Sequence, residues 1–275
     1  MKKFEKMELL LLAAVLGLLT FAVLGPPVAQ PAHQHAFADQ RAWRGVPFAM
    51  DVLSNLPFAV WGLAGLGCLA GLMVRVKLHA QHLLADILAG LFFGGLVLTA
   101  VGSSVYHWQP NDVGLSVDRL GMVVAFAGLL GLAVSGRVSP RAGAVLALAV
   151  LLLGPLSIWL WLKSGNVLPW LALQFGGMAL ILWMAFAKPL PGALNVRWGA
   201  VVLLYAFAKL FELADHPVYE LTAHHVSGHS LKHVVASFAA WPVLAALASA
   251  LGIEKNQGRI RVTNTYNSDA QQSCR

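Results

Sequence analysis

The stretch Ile87–His107, ILAGLFFGGLVLTAVGSSVYH, decides how the rest of the chain is read. From Ile87 to Tyr106 no residue carries a charge, and a serine and a histidine four apart, Ser103 and His107, close the run. An uncharged apolar run of about 20 residues is long enough to cross a bilayer as one helix. An ionisable side chain at its end is costly in lipid and is therefore a candidate for function.

The same kind of run recurs on both sides. Hydrophobic residues make up 58% of the 275 and charged residues 11%. Soluble domains carry about 25% charged residues. Mean hydropathy is +0.70. The apolar residues fall into eight blocks, 8–29, 50–73, 83–107, 118–136, 141–163, 167–187, 196–214 and 227–252. Lipid leaves only helices and closed barrels as spanning structures, and these blocks lack the alternation of barrel strands. The expectation is an all-α, multi-pass transmembrane bundle, with a seven-helix core preceded by one N-terminal helix. Segment 1–36 holds that first helix and a proline-containing loop. The segment reads as an anchor helix or a cleaved signal peptide; no clear small-x-small site follows it, so the uncleaved anchor is the expectation. Residues 37–253 form the core domain, with no internal repeat and no second domain. The polar segment 254–275 reads as a disordered tail.

The net charge of +7 raises the question of a polyanionic partner. Its distribution answers against nucleic acid. With the N-terminus in the cytoplasm and the helices alternating, thirteen of the 19 Lys and Arg residues fall on the cytoplasmic side. Arg41, Arg44, Arg119 and Lys163 fall on the opposite side, and Lys209 and Lys232 lie within helices. That asymmetry sets topology: both termini cytoplasmic and the membrane as partner. Two cysteines, Cys68 and Cys274, make no disulfide framework.

This topology collects the polar residues. His107 ends the third block, Asp118 opens the fourth, and HHVSGHSLKH (His224–His233) opens the eighth, all on the outer side. His229 and His233 are four apart and share a helix face. With His107 they form a three-histidine set with an open fourth position, the arrangement of a catalytic zinc site. Zinc in such a site activates water and polarises a carbonyl. Asp118 is placed to accept the proton of that water, and Ser103, one turn before His107, to donate to a developing oxyanion. Asp51 and Asn55, one turn apart at the start of the second block, are candidates to orient a ligand imidazole. Each residue has a plainer reading. A histidine can cap a helix end, His225 competes with His233 as the partner of His229, a serine can bond its own backbone, an acid suits a helix start, and Asp118 with Arg119 can be a local charge pair. Lys209 and Glu212, three apart, read as an ion pair within one helix or as a polar cavity wall. Trp43, Trp108, Trp170 and Trp198 read as interfacial anchors, and His33 and His35 as plain loop residues.

Ser-x3-His closing one helix (SSVYH), an Asp opening the next (SVDRLGM) and Gly-His-x3-His opening the last (SGHSLKH) resemble the alkaline ceramidase family. That family belongs to a superfamily of seven-helix membrane hydrolases that also includes the progestin and adiponectin receptors. DVLSNLPF (Asp51–Phe58) is similar too, and FADQR (Phe37–Arg41) is similar to bacterial members. The resemblance spans about residues 37–250. It implies Zn2+ on His107, His229 and His233, with Asp118 and Ser103 serving hydrolysis of the N-acyl bond of a lipid amide such as ceramide, drawn from the bilayer. Animal members bind calcium through a cluster of acids before the first core helix; AHQHAFADQRAWRGVPFAM offers only Asp39, so no calcium site is carried over. The rivals are a receptor or sensor of the same fold, with a structural or slow zinc site, a metal transporter, and a haem-binding membrane cytochrome, which leaves Asp118 and Ser103 unexplained. Polar residues gathered mainly on one side argue against the transporter. The oligomeric state is left open.

Overall fold

The computed structural model describes residues 5–75, 83–250 and 252. The expected tail and the Lys77 loop lie outside these residues. Among the described residues the protein is helical, with only two isolated β-bridges. Seven helices among these residues are long and apolar enough to cross a membrane.

Helix α1 (Lys6–Leu24) precedes a long loop. The second block is split into α2 (Ala49–Leu53) and α3 (Leu56–Arg75). Helices α4 (Leu83–Trp108), α5 (Asp112–Ser135), α6 (Pro140–Ser164) and α7 (Leu168–Phe186) follow with short connections. Helix α8 (Trp198–Leu213) has 16 residues. At about 1.5 Å per residue it is the shortest of the expected spans. Next comes a short helix that the hydropathy pattern does not show, α9 (Asp215–Leu221). Helix α10 (Gly228–Ser237) passes through a 3-10 turn at Phe238–Ala240 into further helix, the apolar span running to Ala250.

One expected boundary is wrong in a way that matters. Asp118 does not open α5. Asn111 caps that helix by accepting from the Gly114 amide at 2.8 Å, so α5 begins at Asp112 and Asp118 lies in its second turn. The reading of Asp118 as a plain helix-start acid is thereby removed.

The α4–α5 seam carries the site, and small residues bring its two backbones together. A Cβ on Gly102 would lie 2.8 Å from the Val117 carbonyl oxygen and 3.2 Å from the Asp118 Cα. A Cβ on Gly121 would lie 2.7 Å from the Thr99 amide nitrogen. Gly95 and Gly128 repeat the pattern one heptad further into the bundle, meeting Ala125 and Phe92. Helix α1 packs on the outside, its Leu18 filling the space over Gly176 of α7. The loop after it is tied down where the Val28 amide donates to Asn166 Oδ1 at 2.9 Å and the Val167 amide to the Val28 carbonyl at 2.8 Å.

Two of the four tryptophans expected as anchors are core residues: Trp170 and Trp198 are each 3% exposed, whereas Trp43 and Trp108 are about half exposed. Trp170 is drawn inward because its ring packs under the Arg119 guanidinium.

Candidate metal centre

The end of α4, the second turn of α5 and the start of α10 meet at one end of the bundle. His107, His229 and His233 are all buried there. Their ring centroids form a near-equilateral triangle with sides of 4.8, 5.0 and 4.9 Å. One ligand atom from each lies within 4.8 Å of the others, a group able to hold a metal ion. His107 Nε2 and His229 Nε2 face each other at 3.2 Å. A proton can bridge one such pair of lone pairs; a cation at the centre satisfies all three rings.

The histidine-bearing start of α10 is fixed from several directions. Ser227 caps it, accepting from the Ser230 amide at 3.0 Å. Asp215, at the start of α9, accepts from the His229 amide at 2.8 Å through Oδ1 and from the Ala38 amide at 3.0 Å through Oδ2. Gly228 permits this approach, since a Cβ there would lie 2.3 Å from the Phe211 carbonyl oxygen and 2.7 Å from the Asp215 Cα.

His233 is met by Ser54 and by the Asp51 backbone carbonyl, not by the side chain of Asp51 or of Asn55. The break between α2 and α3 turns Ser54 toward α10 instead. Ser54 Oγ donates to the Asp51 carbonyl at 3.0 Å and sits 2.8 Å from His233 Nδ1. A hydroxyl has one proton. With that proton on the carbonyl, Ser54 accepts from Nδ1–H, and the His233 Nε2 lone pair is left for a metal. The Asp51 carboxylate accepts from Ser230 Oγ at 2.7 Å and the Asn55 amide donates to the Asp51 carbonyl at 2.9 Å. These two residues therefore position the segment that carries Ser54 and the turn that carries His229. His107 Nδ1 has no hydrogen-bond partner.

Ser103 and Asp118 are hydrogen-bonded to each other across the glycine seam. Both face a cavity of about 790 Å³, which His229 and His233 also line. That volume lies within the range of about 300–1,000 Å³ usual for small-molecule sites. Apolar side chains such as Phe92, Leu96, Met122, Phe126 and Met178 form much of its wall. Lys209 and Glu212 do pair, and they also line the cavity. The same carboxylate takes a second cation, Lys232 Nζ at 2.7 Å, from the helix between the two histidines.

The loop before α2 forms the roof. Phe37 packs on His107 and His229, at centroid distances of 4.7 and 4.4 Å. Asp39 holds Arg41 through both carboxylate oxygens, at 2.8 and 2.6 Å, and Arg41 Nη2 donates to the His225 carbonyl at 2.8 Å. Burial pushes the Asp39 carboxyl up, but the hydrogen bonds from Arg41 outweigh it and hold it below the ordinary carboxylate value. Asp39 is thus committed to Arg41. His35 is more than a loop residue: its Nε2 lies 3.1 Å from Asp112 Oδ1 and its Nδ1 2.9 Å from the Tyr106 hydroxyl. His225 is apart from the trio, its Nδ1 turned to the Thr222 carbonyl at 2.9 Å.

Sequence reading missed Ser54, Asp215 and Phe37. DVLSNLPF and FADQR stand out in the sequence, but no local pattern says which of their residues reach another helix. No family model and no curated protein matches this chain.

Proposed function

We propose that the protein is a zinc-dependent membrane amidase that hydrolyses the N-acyl bond of a lipid amide, such as ceramide, to a fatty acid and an amine. The observation that carries this reading is the buried His107–His229–His233 triangle opening on the cavity that Asp118 and Ser103 also line. The donor set fits zinc. Tetrahedral zinc with Zn–N bonds of 2.0–2.1 Å separates its imidazole nitrogens by about 3.3 Å, and the His107–His229 nitrogens are 3.2 Å apart. A zinc ion bound here supplies Lewis acidity, polarising a carbonyl and making water a better nucleophile.

The chain's own residues would divide the remaining work. Asp118 takes a proton from the attacking water and returns it to the nitrogen of the breaking C–N bond, so that the products are a carboxylic acid and a free amine. Ser103 Oγ, beside it, donates to the oxygen of the attacked carbonyl. Ser54 keeps His233 in one tautomer. The apolar cavity wall takes the lipid chains and keeps bulk water from them. The charge asymmetry orients this end of the bundle to the outer face, with both termini in the cytoplasm.

Phe37 favours a second reading. Its ring covers two of the three histidines, a closure equally suited to a receptor whose metal is structural. Turnover separates the two. Detergent-purified protein is expected to contain about one zinc per chain, lost in His233→Ala, and to release fatty acid repeatedly from a lipid amide panel. Zinc without turnover selects the receptor; folded protein without metal overturns both.

A further inference from the structure

Arg119 follows Asp118 on α5, so the two side chains leave the helix about 100° apart. Both line the same cavity. Arg119 is 6% exposed, and its guanidinium lies over the rings of Trp161 and Trp170, at 4.2 and 5.3 Å. Its Nη2 donates to Gln30 Oε1 at 2.9 Å. Its Nη1 has no partner, and neither does the Nε2 of Gln30, another cavity residue. Two buried donors, on side chains bonded to each other through Nη2 and Oε1, therefore go unanswered. An unsatisfied buried donor is destabilising, the more so when charged, and a stacked arginine held by a glutamine is a costly way to fill a membrane bundle. Both open atoms are donors and one belongs to a fixed cation, so the missing partner is an anionic acceptor.

We infer that Arg119 and Gln30 form a head-group subsite for a carboxylate, so that the lipid amide this protein takes carries an acidic head group beside its N-acyl bond. A carboxylate offers two coplanar oxygens, one for Arg119 Nη1 and one for Gln30 Nε2. The Trp161 and Trp170 rings hold the guanidinium in plane for it. The inference rests on the amidase reading and narrows it. N-acyl amino acids fit both parts of the cavity, with the acyl chain against the apolar wall, the amide toward Asp118 and the carboxylate on Arg119. Neutral ceramide leaves the two donors without an anion.

The test compares binding of N-oleoylglycine and N-oleoylethanolamine, which share an acyl chain and an amide and differ in head-group charge. Dissociation constants are measured by calorimetry on the full chain in detergent, and oleate release is followed separately. The expected result is that the wild type binds the acid about 10- to 100-fold more tightly. Arg119→Gln and Gln30→Leu each bring the ratio toward one, and Arg137→Gln, at the other buried arginine, leaves it unchanged. Gln30 lies in a loop, so Gln30→Leu decides the matter should Arg119→Gln fail to fold. Equal binding of the two lipids by the wild type, or a preference that survives Gln30→Leu together with any folded Arg119→Gln, overturns the subsite. A head-group preference without oleate release keeps the subsite and overturns the amidase; oleate release without the preference does the reverse.

Discussion

The two ends of the bundle both bury polar groups, and they use them differently. At the end where α5 hands over to α6, Ser139 caps α6 by accepting from the Ala142 amide at 3.1 Å and donates to Glu8 of α1 at 2.6 Å. Arg137 Nε donates to the Met184 carbonyl at 3.2 Å, near the C-terminus of α7. These contacts close helix ends and hold α1 in place. At the histidine end the polar side chains come from α4, α5, α7, α8, α9 and α10 and turn toward one cavity. Burial of a polar group therefore says little about function by itself. Arg119 and Arg137 each leave an Nη1 without a partner, but only Arg119 lies in the cavity wall beside a second open donor. Convergence on a shared space separates a site from a set of helix caps.

Mutations at the two ends sharpen this contrast. The largest effect is expected at the trio: His107→Ala, His229→Ala or His233→Ala should take bound metal from about one ion per chain to none by elemental analysis, while Arg137→Gln retains it. Loss of metal from Arg137→Gln as well would break the comparison. Next is Asp118→Asn, expected to keep the metal and lower lipid amide turnover about 10²- to 10⁴-fold. Full turnover in that variant would remove Asp118 from proton transfer. Ser54→Ala, which leaves His233 only the Asp51 carbonyl, should weaken metal affinity about 10-fold, read by competition with a chelator. At the other end, Ser139→Ala removes a helix cap and should cost about 1 kcal/mol, seen as a lower Tm with metal content unchanged.

The smallest expected effect is on the roof. The folded Asp39 carboxyl lies below its ordinary value, so its contribution is present above the unfolded pKa of about 3.9 and is lost as pH falls through the lower folded value. Hydrogen exchange across residues 37–48, corrected for intrinsic rates, should rise on going to strongly acid pH in the wild type. In Asp39→Asn it should already be raised at neutral pH.

Hydropathy alone determined the helical class, seven of the spans to within a few residues and the break-free course of α4, because a bilayer imposes a length and an apolar composition on each segment separately. The four-residue spacing of His229 and His233 was equally legible, since helical pitch is local. The start of α5 was not. A hydropathy block begins where apolar residues begin, whereas the helix begins at its cap, Asn111, and that difference moves Asp118 inward by more than a turn. Helix α9 was hidden because seven mixed residues leave no periodic trace. Tertiary structure alone decided that Ser54 meets His233, that Asp215 holds the α10 start, that Phe37 roofs the histidines and that Arg119 finds Gln30. Each of these contacts depends on the depth and axial rotation of one helix against another. Those are set by how closely backbones approach at Gly102, Gly121 and Gly228, and such distances leave no mark in the pattern of a single helix.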